Sequence, residues 1–260
     1  MIVETGGVTV DCEDPENGPG EVTELARDKW ATRIKRFIDL CSAPALTVLT
    51  APLLLAAVLL VKATSAGPAI YSQTRLGRGR RPFTIYKIRS MYHDCERLSG
   101  PRWSSGNDPR VTPVGRFLRR SHLDELPQLW NVVRGDMSLV GPRPERPEFI
   151  TQLEKSLPRY GERLEIRPGL TGIAQVNLPP DVDHESVRRK LTYDLHYVEN
   201  GGLWLDLRLM IGTGLFLAGV PFASSVKFLG LVPECLEDGI VHRPRVVDSA
   251  PVGVAAGNVQ

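Results

Sequence analysis

The stretch FIDLCSAPALTVLTAPLLLAAVLLV, residues 37–61, limits the folds open to this chain more than any other. It holds one charge, Asp39, and is long enough to cross about 30 Å of hydrocarbon as a helix. A cleaved secretory signal fits poorly. A hydrophilic segment precedes the run, and signal cores are only about 7–15 residues long. The flanks decide more. Arg33, Lys35 and Arg36 precede the run, and Lys62 and then the basic cluster at 75–81 follow it. Positive residues favour the cytoplasmic side, so both ends ask for the same side. Pro52 sits mid-run, where it removes a backbone hydrogen bond and kinks a helix, and Pro44 is an earlier break. The two halves, about 22 and 15 Å at 1.5 Å per residue, are each too short for a clean crossing. The expectation is a re-entrant membrane helix, bent at Pro52, with both ends cytoplasmic.

Charge is distributed unevenly. The net charge of the 260-residue chain is only +2, but residues 75–120 carry twelve Lys/Arg against three Asp/Glu. Such a block is an electrostatic footprint for phosphates or anionic lipid. Aromatic residues are sparse within it (Trp103, Phe117), which argues against stacking on nucleic-acid bases, so no nucleic-acid partner is expected. Cys12, Cys41, Cys95 and Cys235 are far apart and lack histidines at ligand spacing, which argues against a zinc site or disulfide framework and suits a reducing compartment.

The chain is expected to divide into a disordered polar N-terminal tail (1–32), the membrane helix (33–65), a main domain (66–232) and a flexible C-terminal tail (233–260). Alternating apolar and polar residues on either side of GRG, in AIYSQTRLGRGRRPFTIYKIRS, read as a β-hairpin. Residues 96–113 read as loop from their Gly, Pro, Ser and Asn content. Helical patterns follow at about 127–133, 145–157 and 183–200. A second apolar run starts near Leu203, is interrupted by Asp206 and Arg208, and suits a helix lying in the headgroup plane. The fold class expected is α+β, mainly helical: a re-entrant helix, a small hairpin and interfacial amphipathic helices around a cytoplasmic catalytic domain.

The chemistry concentrates in SHLDELPQL, residues 121–129, where Asp124 and Glu125 follow Arg116, Arg119 and Arg120. Pro127 belongs in a first helical turn. A helix is therefore expected to start near Asp124, with Asp124 as its N-cap and free N–H groups forming an anion site. Taken alone, the pair is an ordinary helix start. Its context is not ordinary, because Arg143 and Arg167 stand in Pro/Gly-bracketed turns. Such turns lower the entropy lost on gripping a ligand, and an arginine fork bonds two phosphate oxygens at once. Carboxylates amid phosphate-binding arginines can be magnesium ligands or a nucleophile towards phosphorus. Lys87, read alone, is a solvated position on an alternating strand. Gln175 and Asp194 are structural hydrogen-bonders or site residues. Trp130 and Trp204 are read as core or interfacial packing residues rather than base-stacking ones.

The segments KRFIDL, FTIYKIRSM, DPRVTPVGRFLRRSHLDELPQLWNVVRGDMSLVGPRPE, RPGLTGIAQVN and YDLHYVENGGLWLDLRLMIGT together resemble the bacterial sugar transferases, the monotopic phosphoglycosyl transferases, over roughly residues 35–213. The resemblance implies transfer of a sugar-1-phosphate from a UDP-sugar donor to polyprenyl (undecaprenyl) phosphate at the cytoplasmic face of the bacterial inner membrane, with release of UMP. It implies a ping-pong mechanism in which Asp124 is the nucleophile and Glu125 works with Mg²⁺. It also implies that Lys87, Arg119, Arg143, Arg167 and Gln175 bind substrate or phosphate. The family breaks its re-entrant helix at a Ser-Pro pair; here the pair is Ala51-Pro52. Many relatives have tryptophan where this chain has Ile173, and NGR where it continues NLPPDVDHESVRRK. The multi-span N-terminal region of larger relatives is absent, so a minimal catalytic form is expected.

Overall fold

The computed structural model describes residues 29–96, 100, 103, 108–221 and 228–231. The two expected tails lie outside the described residues.

The apolar run forms one α-helix, α1 (Lys29–Thr64), which continues through Pro44 and Pro52. The hydroxyls of Thr47 and Thr50 donate back to the carbonyls of Ala43 and Leu46 near the two prolines. Both ends of α1 are tied to the rest of the protein. Near its start, Arg36 donates to the carbonyl oxygens of Val132 and Val133 at 2.6 and 2.8 Å. Asp39 Oδ1 accepts from Ser138 Oγ and from the Leu139 N–H. Near its end, Ala57 and Val61 pack with Ala69, Ile88 and Leu118. Between these anchors Val48 and Leu49 are 76% and 75% exposed.

The hairpin follows as expected. Strand β1 (Ile70–Leu76) pairs antiparallel with β2 (Pro82–Ile88) in the register Tyr71↔Lys87. A tight turn at Arg78–Arg80 joins them, with Gly79 at φ 64°. Helix α2 (Pro113–Arg120) was not foreseen in the loop-rich region. Thr112 caps it by accepting from the Gly115 N–H, and Pro113 stands in its first turn, where the missing N–H costs nothing. Gly115 lets α2 press against the strand exit: a Cβ there would lie 1.8 Å from the Ser90 carbonyl oxygen.

A short 3-10 turn at Leu123–Glu125 leads to α3 (Gln128–Arg134) and β3 (Ser138–Val140). Helix α4 (Pro147–Ser156) and a 3-10 turn at Tyr160–Leu164 come next. Strand β4 (Gly169–Thr171) pairs with β3 in parallel, a contact that three-residue strands do not announce in sequence. Helix α5 (Ile173–Asn177) precedes α6 (His184–Asn200), which opens on a capping box between Asp183 and Ser186. Helix α7 (Leu203–Leu217) has 15 residues, about 22 Å at 1.5 Å per residue, too short to cross a bilayer. The described residues therefore form a mainly helical fold with two small sheets. α1 alone among the described helices is long and apolar enough to span. The main core joins Ala43, Ile85, Leu129, Val132, Met137, Leu139, Ile173 and Leu209, so α1, both sheets and α7 share one interior.

Candidate active site

Asp124 and Glu125 do not begin a helix. The 3-10 turn carries them, and α3 starts three residues later at Gln128, with Pro127 just outside it. Three of the local N–H groups are also spent: Glu125 N donates to His122 O, Leu126 N to Leu123 O and Leu129 N to Leu126 O. The expected N-cap and its helix-end anion site are thus corrected. His122 enters the turn at φ 54°, an uncommon left-handed conformation for a residue with a side chain. That conformation redirects the chain after α2 and turns both carboxylates inward.

Cations from three other elements converge there. Lys87, from β2, donates to Glu125 Oε1 at 2.7 Å. Arg143, from the turn after β3, donates to Glu125 Oε1 at 2.6 Å and reaches Oε2 at 3.4 Å. Arg119, from the last turn of α2, donates through Nε to Ser90 Oγ at 2.8 Å. Asp124 is 7% exposed, and no described side chain donates to its oxygens. The solvated reading of Lys87 therefore gives way to a half-buried, paired one.

The two carboxyls differ electrostatically. Burial, then the charge of Glu125, pushes Asp124 up to about 6, against the pull of Lys87, Arg119 and Arg143. Burial would raise Glu125 too, but Arg143 and Lys87 outweigh it and hold that carboxyl well below its usual range. Burial lowers Lys87, with Arg143 adding to the effect and Glu125 opposing it. Beside them burial lowers the His122 imidazole, and its ring stacks edge-on against Phe216.

Four successive carbonyls of the turn that delivers Arg143 are held from outside. Pro142 O accepts from Gly169 N at 2.8 Å, and Arg143 O from Arg163 Nη2 at 2.9 Å. Pro144 O accepts from Arg75 Nη1 at 3.0 Å, and Glu145 O from Leu76 N at 3.1 Å. Gly169 permits the closest of these approaches, since a Cβ on it would fall 2.0 Å from Gly141 N. Arg163 in turn pairs with buried Asp194 at 2.7 Å and donates to the Tyr160 hydroxyl. Arg75, Arg163 and Tyr160 carry no local motif that marks them, so only the fold identifies their roles. Asp194 settles as a structural partner.

Not all expected residues gather at the dyad. Arg167 lines a separate cleft with Lys35, Arg78, Tyr197 and Asp206, which neither Asp124 nor Glu125 touches. Gln175 lies along β4, with Nε2 3.5 Å from Gly169 O and Oε1 buried without a partner. Ile173, the departure from tryptophan, belongs to the core. Trp130 and Trp204 are mostly exposed, which removes core packing and leaves the interfacial reading open. The described residues contain no group of three or more His, Cys, Asp or Glu placed to hold a metal ion. A magnesium ion needs less, because one or two carboxylates plus substrate phosphates suffice. Glu125 Oε2, whose sole contact is the long one to Arg143, and the donor-free Asp124 form an oxygen set that fits it.

The site is thus a buried, undonated carboxylate beside a cation-clamped one, on a domain built around an apolar helix. The chain belongs to the bacterial sugar transferase family, which it matches over residues 30–218. It is 42% identical over 180 residues to the UDP-N-acetylgalactosamine-undecaprenyl-phosphate N-acetylgalactosaminephosphotransferase of Aeromonas hydrophila, covering 69% of this chain and 42% of that protein. It is 40% identical over 204 residues to the undecaprenyl-phosphate glucose phosphotransferase of Komagataeibacter xylinus, covering 75% and 38%. The UDP-glucose:undecaprenyl-phosphate glucose-1-phosphate transferase of Caulobacter vibrioides is 46% identical over 183 residues, covering 69% and 67%. The aligned part of the chain thus spans about two-fifths of the length of the first two relatives.

Proposed function

We propose that the chain transfers a sugar-1-phosphate from a UDP-sugar to polyprenyl (undecaprenyl) phosphate, releasing UMP, as the first membrane step in assembling a bacterial surface glycan such as exopolysaccharide, O-antigen, capsule or a protein-linked glycan. The observation that carries this reading is Asp124: buried, free of donors and ringed by Lys87, Arg119 and Arg143. A carboxylate that no proton donor blunts remains able to attack phosphorus, and surrounding cations draw in the phosphates that like charge would repel.

The reaction proceeds in two displacements. An Asp124 oxygen attacks the sugar-bearing phosphorus of the donor; the bond to the UMP phosphate breaks, and UMP leaves with the electron pair. An oxygen of the lipid phosphate then attacks the same phosphorus, forming the diphosphate linkage and restoring Asp124. Because the anions react in turn, both need not fit at once. Arg143 and Lys87 hold Glu125 in place beside the reacting group. Glu125 would hold Mg²⁺, which supplies charge neutralisation to the diphosphate when bound.

The membrane arrangement supports the same reading. Both ends of α1 pack on one domain while its middle stays exposed and apolar. A helix held in that way enters and leaves the bilayer on one side, bending near Pro52, which suits a site on the cytoplasmic face. Helix α7, too short to cross, presents Trp204 and Leu207 outward as an interfacial element.

The test uses the purified chain and a panel of UDP-sugars. Without lipid, one equivalent of UMP and an intact-mass adduct on Asp124 are expected; undecaprenyl phosphate should then permit steady turnover. Steady UMP release without lipid would make the chain a hydrolase instead. Excess chelator should stop the first step, and full activity in it would remove the metal.

A further inference from the structure

The cleft that holds Arg167 has chemistry of its own. It measures about 100 Å³ and is lined by Lys35 from α1, Arg78 from the hairpin turn, Arg167, Tyr197 from α6, and Leu203 and Asp206 from α7. The residues in it are unevenly satisfied. Asp206 accepts from Lys35 at 2.5 Å and from the Tyr197 hydroxyl, so it and Lys35 are committed to each other. Arg36, close by, is committed to the Val132 and Val133 carbonyls. The guanidinium groups of Arg78 and Arg167, by contrast, enter no hydrogen bond or ion pair among the described residues. Arg167 is held below its ordinary value by burial, then by the charges of Arg36 and Arg78, with Asp39 alone opposing. Asp39 already accepts from Ser138 and Leu139.

Three elements therefore bring Arg36, Arg78 and Arg167 together with one carboxylate, Asp39, whose second oxygen is uncommitted, set against them, so positive charge is left in excess. Like charges gathered in a partly desolvated cleft raise the free energy of the fold unless an anion sits among them. Position narrows the anion. Lys35 stands two residues before the apolar run at 37–61. Leu203, which opens α7, lines the cleft, and its neighbour Trp204 is 69% exposed. Exposed tryptophan and the start of an apolar helix mark the headgroup layer, where lipid phosphates lie.

We propose that this cleft binds the phosphate group of a membrane lipid, with Arg78 and Arg167 gripping its oxygens, and so docks the domain against the bilayer at a place separate from the Asp124 centre. The docking does not depend on what Asp124 does. The cleft shares no residue with the dyad and its clamps Lys87, Arg119 and Arg143.

The experiment is native mass spectrometry of the full chain released from phosphatidylcholine nanodiscs doped with either phosphatidylglycerol or undecaprenyl phosphate. The wild type should carry the doped lipid away in preference to phosphatidylcholine. Arg78 is exposed in a turn, so Arg78→Gln should leave the fold intact and cut retention about fivefold; Arg78→Gln with Arg167→Gln should cut it about thirtyfold. Arg78→Lys with Arg167→Lys keeps the charge and should recover most of the binding. Loss of both doped lipids supports the proposal; loss of undecaprenyl phosphate alone would make the cleft part of the acceptor's path to Asp124 and overturns its separate docking role. Retention in the double glutamine variant within twofold of wild type overturns it. So does equal displacement of lipid by inorganic phosphate, which would mark a soluble-anion site. Neither outcome bears on the UMP burst, which tests the transfer reaction alone.

Discussion

Two regions of this protein bury an aspartate beside arginine, and they use it differently. In the 3-10 turn at Leu123–Glu125, Asp124 has cations around it but no donor bonded to it. Where the Tyr160–Leu164 turn meets α6, Asp194 is 2% exposed and paired with Arg163 at 2.7 Å. Burial raises the pKa of both. Arg163 is the main counterweight to burial at Asp194, whereas the opposing cations around Asp124 are bonded elsewhere, Lys87 and Arg143 to Glu125 and Arg119 to Ser90. The same residue type is thus tied into the scaffold where its oxygens are occupied and left open, for the attack proposed above, where only the field around it is positive. Arg163 links the regions, because the Nη2 that holds Asp194 also holds the carbonyl of Arg143.

The largest expected effect comes from Asp124→Asn. The donor half-reaction should fall by more than about a thousandfold, since the amide cannot attack phosphorus. The same change should stabilise the fold. A carboxyl whose folded value is near 6 rather than 3.8 is disfavoured in its charged form on folding. The cost is absent below about pH 4, grows between pH 4 and 6, and persists above, so removing the charge should raise stability at pH 7.5 by about 1–3 kcal/mol. Denaturant unfolding at pH 7.5 measures it. A less stable Asp124→Asn would mean that this carboxylate is scaffold after all, and the contrast with Asp194 would collapse.

The pH dependence of the burst sharpens the same point. Attack needs the carboxylate, so single-turnover UMP release should fall about tenfold per pH unit once the pH drops below about 6, the value Asp124 holds. A limb near 4 would show that the cations dominate burial at Asp124, and that its environment resembles that of Glu125.

Next in size is Arg163→Met. It leaves Asp194 buried without its cation, a loss worth about 3–5 kcal/mol in stability. It also frees the Arg143 carbonyl, so kcat should fall as the arginine loses its register on Glu125. In a chain already carrying Arg143→Ala, the added effect of Arg163→Met on kcat should shrink towards nothing while its effect on stability remains. Additive losses in kcat would mean that the Arg163–Asp194 pair does not act through Arg143.

The elements that were legible in sequence are those whose cause is local. Alternation around GRG yields β1 and β2, an uninterrupted apolar run yields α1, and Asp183 ahead of an amphipathic stretch yields α6. The missed elements depend on partners far along the chain. Strands β3 and β4 have three residues each and exist because Gly141 and Gly169 let two backbones touch. The dyad was found but its local structure was misjudged. Pro127 was expected inside a helix begun by Asp124, whereas the left-handed His122 and the Leu126-to-Leu123 bond close a tighter turn first. Lys87 and Glu125 are 38 residues apart, and no spacing rule joins them. Their association came from family resemblance, which grouped Arg167 with them although the fold puts it in another cleft.

Helix α2 is the missed element whose signal was present. Thr112 followed by Pro113 is a capping residue ahead of a first-turn proline, masked by loop-like composition on its N-terminal side. Thr112 Oγ1 accepts from Gly115 N at 2.9 Å, while Thr112 N holds Ser90 O at 3.0 Å. The cap therefore fixes α2 against the same residue whose hydroxyl receives Arg119. Thr112→Ala removes the side-chain bond and keeps the backbone one. The expected loss is about 1 kcal/mol, or about 2–4 °C in melting temperature. Because Arg119 acts on Asp124 through charge rather than a bond, a small drift of α2 should weaken donor binding more than chemistry, raising KM a few-fold with kcat nearly unchanged. A fall in kcat as large as that from Arg163→Met would place Arg119 among the groups whose exact register matters, and extend the clamped region to include α2.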